Sequence, residues 1–327
     1  MKLLFILDPL PSIKTYKDTS FAMMVEAARR GHEIHFAPQE GIMWKHGRVV
    51  AEHVRLHLLD GEKRLGNPEV HDAHWYRLEL PPRETPLADF GAVLMRKDPP
   101  FDMEYVTSTW LLEVAVREGA RVFNDPAAIR DHSEKLAIAK FPQFTAPTLV
   151  TRLMPQLQSF IDANGDVVLK PLAGMGGESV FRVTDGDPNR NVIVETLTGN
   201  GHRTIMAQRY IPEIRDGDKR VLLIAGEPVP YCLARIPKPG ESRGNLAAGG
   251  SGVARPLGAR DREIAEALGP ELWRRGLLLV GLDVIGDYLT EVNVTSPTCF
   301  QEIAQQTGFS VAGMFVDALE RAVNRQS

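Results

Sequence analysis

The sequence predicts an α/β N-terminal third built on a parallel sheet, followed by an α+β remainder with antiparallel sheets. The N-terminus alternates a strand, an amphipathic helix and a second strand, which is the pattern of a parallel βαβ unit. After about residue 130, strand-like segments follow one another with hairpin-like connections. The length of 327 residues suits about two domains at ~150 residues each.

The first elements justify the parallel sheet. Leu3–Leu7 is an apolar strand, and Asp18–Ser20 is a cluster of helix-capping residues. Apolar residues recur at helical spacing over Phe21–Ala28, and Gly31 ends that helix. Glu33–Ala37 forms the second strand, which we expect to lie parallel to the first.

The rest of the N-terminal third is less regular. Residues 45–80 contain one alternating segment, Val49–Leu58, among polar turns. Ala92–Met95 and Arg121–Phe123 are short apolar runs typical of buried strands. Five of the nine histidines fall between residues 46 and 74, where no cysteine supports a metal site, so we expect them on the surface.

Beyond residue 130 the predicted elements are closely spaced. The strands are Asp166–Leu172, Ser179–Val183, Thr204–Ile211, Arg220–Ala225, Val229–Leu233, Leu277–Ile285 and Tyr288–Thr295, and the helices are Arg260–Arg275 and Val311–Val323. Pro237–Gly252 holds five glycines and two prolines in 16 residues. A loop that long inside a compact domain is usually functional or mobile.

Composition narrows the functional classes. With 43% apolar and 24% charged residues, the chain has the balance of a globular protein. A net charge of −4 argues against a nucleic-acid partner, and no apolar run reaches the ~18 residues that span a bilayer. Cys232 and Cys299 are too few for a disulfide framework, and the apolar run Met1–Leu7 is too short for a signal peptide. We therefore expect a cytoplasmic protein with reduced thiols.

A glycine-rich loop is the first candidate for chemistry. Lys170 ends a predicted strand, and Gly174, Gly176 and Gly177 follow before the next strand at Ser179–Val183. Glycines let backbone N–H groups approach phosphate, and a lysine adds a point charge. The loop is neither a Walker P-loop nor a dinucleotide fingerprint, because a strand rather than a helix follows it. We interpret it as a phosphate-binding flap, with a tight hairpin that needs glycine for geometry alone as the alternative.

Three oxygen-bearing side chains lie on a predicted strand pair. Glu291 and Asn293 are two residues apart and share a strand face, and Asp283 lies on the preceding strand across a short turn. Oxygen ligands of this kind suit Mg²⁺. A solvated strand face is the alternative, although the apolar run Leu277–Val284 makes unpaired acids there costly.

Several cations accompany these motifs: Lys135, Lys219, Arg220, Arg235 and Arg243. Each alone is typical of a surface charge. Together with a phosphate loop and an acidic cluster, they suit a site for a triphosphate and an acceptor anion.

Seven sequence blocks occur together in one order along the chain. They are Asp18–Met23, Met95–Asp102, Leu169–Gly177, Asp216–Val221, Gly226–Pro237, Arg243–Gly250, and Gly281–Asp283 with Thr290–Thr298. On these blocks the sequence resembles the prokaryotic glutathione synthetases of the ATP-grasp superfamily over essentially its whole length. Residues 10–16 and 45–85 depart from the family pattern.

The resemblance implies a fold and a set of site residues. The fold is ATP-grasp, with a Rossmann-like parallel-sheet domain over residues 1–125, a central subdomain over 126–205 and a C-terminal subdomain over 206–327 that carries the lid 237–252. The implied nucleotide contacts are Lys135, Lys170, Gly174, Gly176, Gly177, Gln208, Tyr210, Ile211 and Asp218. The implied metal ligands are Asp283, Glu291 and Asn293, and the implied catalytic residues are Arg220, Arg235 and Lys170. The implied peptide-substrate contacts are Arg96, Arg243, Asn245 and Lys17.

The family's reaction is the ATP-driven condensation of γ-glutamylcysteine with glycine through an acyl phosphate. The resemblance thus implies ATP with Mg²⁺ or Mn²⁺, a homo-oligomer, and no nucleic-acid or membrane partner. Another ATP-grasp carboxylate–amine ligase would share the phosphate and metal apparatus and is the alternative within the class. A regulatory nucleotide-binding module is disfavoured because Arg220, Glu291 and Asn293 are all present. A nicotinamide dehydrogenase is disfavoured because the glycine loop lies between strands.

Overall fold

The computed structural model describes residues 1–70, 74–174, 176–241, 244, 246 and 249–325, and its strands form sheets of seven, four and five members. The strands are β1 (Lys2–Leu7), β2 (Glu33–Pro38), β3 (Ile42–Lys45), β4 (Arg48–Leu58), β5 (Tyr76–Pro86), β6 (Ala92–Met95), β7 (Val122–Phe123), β8 (Thr148–Thr151), β9 (Asp166–Pro171), β10 (Phe181–Thr184), β11 (Ile205–Arg209), β12 (Asp218–Ile224), β13 (Glu227–Ile236), β14 (Ser251–Pro256), β15 (Leu279–Ile285) and β16 (Tyr288–Asn293). The helices are α1 (Thr19–Arg29), α2 (Gly61–Arg64), α3 (Met103–Arg117), α4 (Pro126–Arg130), α5 (Met154–Asn164), α6 (Arg190–Thr198), α7 (Ala259–Arg274), α8 (Phe300–Thr307) and α9 (Val311–Arg325).

The seven-stranded sheet contains the N-terminal part of the chain. Its order is β3-β4-β2-β1-β6-β7, with β5 paired to β4. β1 pairs in parallel with β2 and β6, and β6 with β7, which confirms the predicted βαβ opening. β3, β4 and β5 pair antiparallel instead, so the sheet is mixed and residues 45–80 are more regular than predicted. β5 was missed because it carries Pro81 and Pro82, which an edge strand tolerates.

Strand β1 is buried on both faces. Leu4 and Ile6 belong to one apolar cluster, and Leu3 and Phe5 belong to another, which explains the continuous apolar run of this strand. Helix α1 covers one side, and it begins where the Asp18 carboxylate accepts the N–H of the third helical residue. β1 therefore lies inside the sheet between β2 and β6, and the segment after β6 leads towards the site described below.

The two remaining sheets are antiparallel, as predicted. The four-stranded sheet has the order β10-β9-β11-β8, and the five-stranded sheet has the order β14-β13-β12-β15-β16. β11 continues to Arg209, so a boundary after residue 205 cuts through a strand of the four-stranded sheet. β14 begins at Ser251, inside the segment predicted as a loop over 237–252.

One expectation about the histidines is wrong. His53 is buried beside His35, with the two Nδ1 atoms 3.2 Å apart, and both rings pack against Phe90. Alternation along β4 turns this side chain inward, whereas His46 is exposed as expected. His71 lies outside the described residues.

The cysteines behave as predicted. Cys232 and Cys299 are buried free thiols, and burial raises the pKa of each to about 11. No helix in the described ranges has the length and apolar character needed to cross a membrane.

Candidate active site

A cavity of about 290 Å³ lies between the four-stranded and five-stranded sheets. Asp98 and Pro99, which follow β6 of the seven-stranded sheet, also line this cavity. Most of the predicted site residues line it, namely Lys135, Lys170, Gly174, Gly176, Gly177, Gln208, Tyr210, Ile211, Asp218, Arg220, Arg235, Asp283, Glu291 and Asn293. Residues far apart in the sequence thus meet in one concave site.

Asp283 lies at the centre of a buried charge cluster. It is opposite Arg220 on the neighbouring strand, and its Oδ1 accepts from Nε of Arg220 at 2.5 Å while Oδ2 accepts from Nη2 at 3.0 Å. Nη2 of Arg235 lies 2.8 Å from the same Oδ2. Burial alone would raise the pKa of Asp283, but the two guanidinium groups outweigh it and hold that pKa well below its usual range. The carboxylate is therefore charged and almost fully engaged.

Asp218 shares Arg235 with Asp283. Its Oδ2 accepts a hydrogen bond from Nη2 of Arg235, while its buried Oδ1 has no partner within the described part of the chain. Burial raises the pKa of Asp218 to about 6, and the attraction of Arg235 only partly offsets this. An open acceptor therefore remains at this side of the cavity.

Glu291 and Asn293 have freer oxygens than Asp283. Glu291 is opposite Asp283, and Asn293 is opposite Gly281, so the three side chains share one sheet face. Lys135 Nζ lies 3.7 Å from Glu291 Oε1, beyond hydrogen-bond distance. Asn293 donates from Nδ2 to the Gly281 carbonyl, and its Oδ1 has no hydrogen-bond partner among the described residues. Across the described ranges, no three Asp, Glu, His or Cys side chains converge on one point, so the asparagine amide is needed for a three-ligand set.

These residues fit a hard divalent cation. Carboxylate and amide oxygens are the ligands that Mg²⁺ takes in proteins. Asp283 already accepts three hydrogen bonds, and a carboxylate has about four lone-pair sites, so it can offer about one more. Glu291 and Asn293 would accordingly be the main protein ligands, with Asp283 as the weaker third.

Glu134 is a site residue that the sequence analysis missed. Its Oε1 accepts from the N–H groups of Val294 and Thr295 and from the Thr295 hydroxyl, at 2.9, 3.2 and 3.0 Å. Its backbone carbonyl also accepts the N–H of Val292. Burial raises the pKa of Glu134, and the nearby Glu291 carboxylate raises it further. The available signal was its position directly before Lys135.

The two predicted ATP lysines lie near the glycine-rich loop. Lys135 Nζ donates to the Gly174 carbonyl at 2.8 Å, and Lys170 is only 7% exposed. Burial lowers the pKa of Lys170, and the Glu291 carboxylate partly offsets this. Gly174 has φ +104°, a left-handed conformation that favours glycine. The loop joins β9 to β10, which confirms that it connects two antiparallel strands, and its role as a phosphate-binding flap stays a prediction.

One part of the cavity wall, around β9 and β11, is more apolar. Val168 and Ile211 line it beside Gln208 and Tyr210. The Tyr210 ring carries the Arg182 guanidinium at 3.7 Å, and Arg182 also forms a two-point ion pair with Asp166. A base-sized apolar slot with a few polar atoms is what a nucleotide pocket requires.

Two predicted substrate contacts lie outside the cavity lining. Arg96 is 6% exposed, and its guanidinium donates to Ser20 Oγ and to the Pro297 carbonyl, at 3.1 and 2.9 Å. It braces the N-terminal sheet against the segment after β16. Lys17 is exposed, with Nζ 5.9 Å from the Tyr16 ring centre.

The other two predicted substrate contacts cannot be placed. Arg243 and Asn245 lie outside the described residues, as do Ser242, Ala247 and Ala248 of the predicted lid. Between them, Gly244 lines the cavity, as does Leu246. Among its described residues, the segment 237–252 therefore reaches the site at Gly244 and Leu246.

The segment after β16 is the other part of the site that sequence reasoning left unassigned. Thr295–Cys299 lines the cavity, and the Ser296 hydroxyl donates to Asp98 Oδ1. This bond and the bond from Arg96 to Pro297 both link the end of β6 and the residues after it to the segment that follows β16. The signal available was the polar run directly after the metal-ligand pattern.

Comparison with known families agrees with this geometry. The family described as prokaryotic glutathione synthetase, N-terminal domain, matches residues 1–130, and the one described as prokaryotic glutathione synthetase, ATP-grasp domain, matches residues 134–308. A curated relative from Ralstonia nicotianae, named glutathione synthetase, is 63% identical over 100% of this chain and 98% of its own. Another of that name from Nitrosomonas europaea is 59% identical over the full length of both chains.

Solved structures share the fold at much lower identity. D-cycloserine synthetase DcsG superposes with a TM-score of 0.66 at 16% identity over the full length of both chains. The ATP-grasp ligase PsnB, complexed with minimal precursor, Mg and ADP, gives a TM-score of 0.62 at 15% identity over 99% of this chain and 98% of its own. The family matches over nearly the whole sequence, together with the site between the two antiparallel sheets, establish that the chain belongs to the prokaryotic glutathione synthetase family of ATP-grasp ligases.

Proposed function

We propose that this chain joins γ-glutamylcysteine to glycine, using ATP and giving glutathione, ADP and phosphate. The observation that carries the proposal is the meeting of two lysines, a glycine-rich loop and the Glu291–Asn293 oxygens in one cavity of a member of this family. A carboxylate is a poor acyl donor because its leaving group would be oxide. Its activation by phosphoryl transfer needs this combination of cations and backbone donors.

In the first step the cysteinyl carboxylate attacks the γ-phosphorus, and ADP leaves. Lys170 and Lys135 would neutralise the phosphate oxygens, and the N–H groups of the Gly174–Gly177 loop would add donors. Because burial lowers the pKa of Lys170, a bound triphosphate is the anion that would keep this lysine charged. Glu291, Asn293 and Asp283 would hold a divalent cation, which offsets phosphate charge when bound. We propose Mg²⁺ as the physiological metal and Mn²⁺ as a substitute.

In the second step the glycine amine attacks the acyl phosphate carbonyl, and phosphate leaves. Arg220 and Arg235 would stabilise the oxyanion and the departing phosphate, since Asp283 fixes both guanidinium groups at the cavity wall. The acyl phosphate reacts with water, so the 237–252 segment would exclude solvent during turnover. Arg243 and Asn245 stay in the proposal as substrate contacts.

Two other assignments follow from the geometry. Arg96 is better proposed as a brace than as a carboxylate clamp, because its guanidinium is buried and already donates to two oxygens. For the domains we propose that divisions fall near residue 125 and between residues 209 and 218, since each part then keeps one whole sheet.

We also propose a homo-oligomer, which light scattering of the purified protein tests directly.

The test is product formation with each substrate alone and with both together. Phosphate release and glutathione, identified by mass, should appear in equal amounts only when ATP, a divalent metal, γ-glutamylcysteine and glycine are all present. Lys170→Met should lower turnover at least ~100-fold, about 2.7 kcal/mol of transition-state stabilisation. Lys140→Met changes an exposed lysine outside the cavity lining and should leave turnover unchanged. Efficient turnover with a different acid or amine, and none with this pair, would indicate another carboxylate–amine ligase.

A further inference from the structure

A row of three side chains crosses one face of the four-stranded sheet. The strand register places Gln208 directly between Thr148 on one neighbouring strand and Val168 on the other. Val168 and Gln208 line the apolar end of the cavity, whereas Thr148 is half-buried behind them and does not line it. Directly opposed residues on antiparallel strands lie close enough for their side chains to interact.

The hydrogen bonds of Thr148 fix the orientation of the Gln208 amide. The Thr148 hydroxyl has a single hydrogen, and it donates that hydrogen to the Ala146 carbonyl at 2.8 Å. Towards Gln208 the hydroxyl can therefore only accept, and Nε2 of Gln208 donates to it at 3.0 Å. The amide nitrogen must face Thr148, so the amide oxygen faces away from it. In the described residues, no protein donor is bonded to this oxygen.

An acceptor fixed at this place distinguishes purines. Adenine carries an amino group at position 6, which is a donor, whereas guanine and hypoxanthine carry an oxygen there, which is an acceptor. An oxygen held against an oxygen leaves both acceptors unpaired, and such a mismatch is a strong source of discrimination. Gln208 lines the cavity with Val168, Tyr210 and Ile211, and the strand register sets it opposite the apolar Val168, whereas Lys170 is opposite Met206, two residues along. The base is the part of a nucleotide that suits this apolar neighbourhood, with Lys170 at the position next to it for a phosphate.

We propose that Thr148 is a positioning residue for nucleotide selectivity, which holds Gln208 as a hydrogen-bond acceptor for the 6-amino group of adenine. This rests on the proposed function, since it takes ATP as the substrate. Without the Thr148 hydroxyl the Gln208 amide can turn over and present its nitrogen to a 6-oxo purine. The loss should therefore affect the choice between nucleotides more than the chemistry of ligation.

The test compares ATP with inosine triphosphate, which exchanges the 6-amino group for oxygen and lacks guanine's 2-amino group. In Thr148→Val the ratio of kcat/KM for ATP to that for inosine triphosphate should fall about tenfold. That change corresponds to about 1.4 kcal/mol, within the range for one unpaired buried group. It should arise through KM, with kcat for ATP within about twofold of the wild type. Thr148→Ser, which keeps the hydroxyl, should restore the ratio, and Thr184→Val on strand β10 of the same sheet should not alter it.

Binding supplies a readout that does not depend on turnover. Calorimetry should show the same fall in selectivity between ADP and inosine diphosphate, and thermal unfolding checks that each variant is folded. If Thr148→Val does not fold, Thr148→Ala replaces it in the selectivity test. An unchanged selectivity in a folded Thr148→Val or Thr148→Ala protein overturns the inference, as does an equal fall in Thr148→Ser. If the selectivity falls as expected while no glutathione forms, the inference about Thr148 stands and the proposed ligase activity fails.

Discussion

Arg220 and Asp283 form a two-point ion pair across adjacent strands, and both side chains are almost fully buried. Arg235 adds a further contact to the same carboxylate and a second one to Asp218. A buried charge pair contributes modestly as a whole, but removal of one partner leaves the other charge uncompensated. The geometry of the cationic wall therefore depends on a residue that the sequence suggested only as a metal ligand.

The first prediction concerns this carboxylate. Asp283→Asn keeps the shape and removes the charge that two guanidinium groups share, so the free energy of unfolding should fall by roughly 3–5 kcal/mol. Urea unfolding followed by circular dichroism measures it. Asp60→Asn removes an exposed carboxylate that pairs only with Lys63 among the described residues, and it should have little effect. Equal effects of the two substitutions would show that the buried cluster does not depend on Asp283.

The second prediction concerns the metal. Glu291 has the less engaged of the two carboxylates in the proposed ligand set, since its nearest charged partner among the described residues is Lys135, with Nζ 3.7 Å from Oε1. Glu291→Gln keeps the size and removes one negative charge, so turnover should fall at least ~100-fold and the metal concentration needed for half-maximal turnover should rise. Steady-state rates over a magnesium titration test both. Wild-type turnover at limiting magnesium would remove Glu291 from the ligand set.

The third prediction concerns Glu134. One carboxylate oxygen accepts three hydrogen bonds from Val294 and Thr295, directly after the proposed metal ligand Asn293. Glu134→Ala would leave two backbone donors unpaired and let the end of β16 move, so the magnesium requirement should rise about tenfold or more. Glu134→Gln keeps an acceptor oxygen and should recover most of the loss. If Glu134→Gln and Glu134→Ala raise the magnesium requirement equally, the hydrogen bonds to Glu134 do not position the segment after β16.

Much of the site could be predicted because its residues lie on regular strands. The spacing of Glu291 and Asn293 alone places them on one face, and a glycine run between two strands indicates a hairpin loop beside Lys170. Local patterns of this kind predict correctly which residues share a strand face, because the alternation of apolar and polar side chains along a strand determines its pairing register.

What could not be predicted depends on partners far away in the chain. Arg96 ends a strand as expected, but its burial results from the Pro297 carbonyl, 201 residues later. The inward orientation of His53 becomes evident only once His35 is known to lie beside it on the next strand. Pro81 and Pro82 disfavour a strand in the interior of a sheet, and the sequence does not reveal that β5 lies at an edge, paired with β4.

The fourth prediction concerns pH. Burial lowers the pKa of His53 to about 4, and the neighbouring His35, Arg83 and Lys2 act in the same direction. The unfolded chain binds this proton below about pH 6.5 and the folded chain only below about 4, so stability falls as pH falls between these values. Between these pH values, His53 should lower the free energy of unfolding by about 1–3 kcal/mol.

Urea midpoints from pH 7 to pH 4 measure this effect. His53→Gln removes the titrating ring, so the stability difference between wild type and variant should narrow on acidification. His46→Gln changes an exposed histidine near the start of β4 and should leave the pH profile as in the wild type. A constant difference between His53→Gln and wild type over this range would exclude His53 as a source of acid sensitivity.

The last prediction concerns Gly244, where the proposed lid meets the charge cluster. A Cβ at this position would collide with the backbone carbonyl oxygen of Arg235 and would lie 3.1 Å from the Asp218 Cβ. Neither a strand carbonyl nor a buried Cβ can give way cheaply, so Gly244→Ala should push the segment off β13 and disturb the guanidinium that holds both Asp218 and Asp283. A displacement of about 1 Å near reacting groups can lower a rate about 100-fold, so turnover should fall by roughly ten- to a hundredfold.

Gly186→Ala is the matched control, because a Cβ there meets no atom within 4 Å. Thermal unfolding of both variants separates the two explanations for a loss. If Gly244→Ala is as stable as Gly186→Ala but slow, close contact at β13 is required for turnover, whereas equal rates in the two variants would mean that the approach of this segment to Arg235 has no part in the reaction.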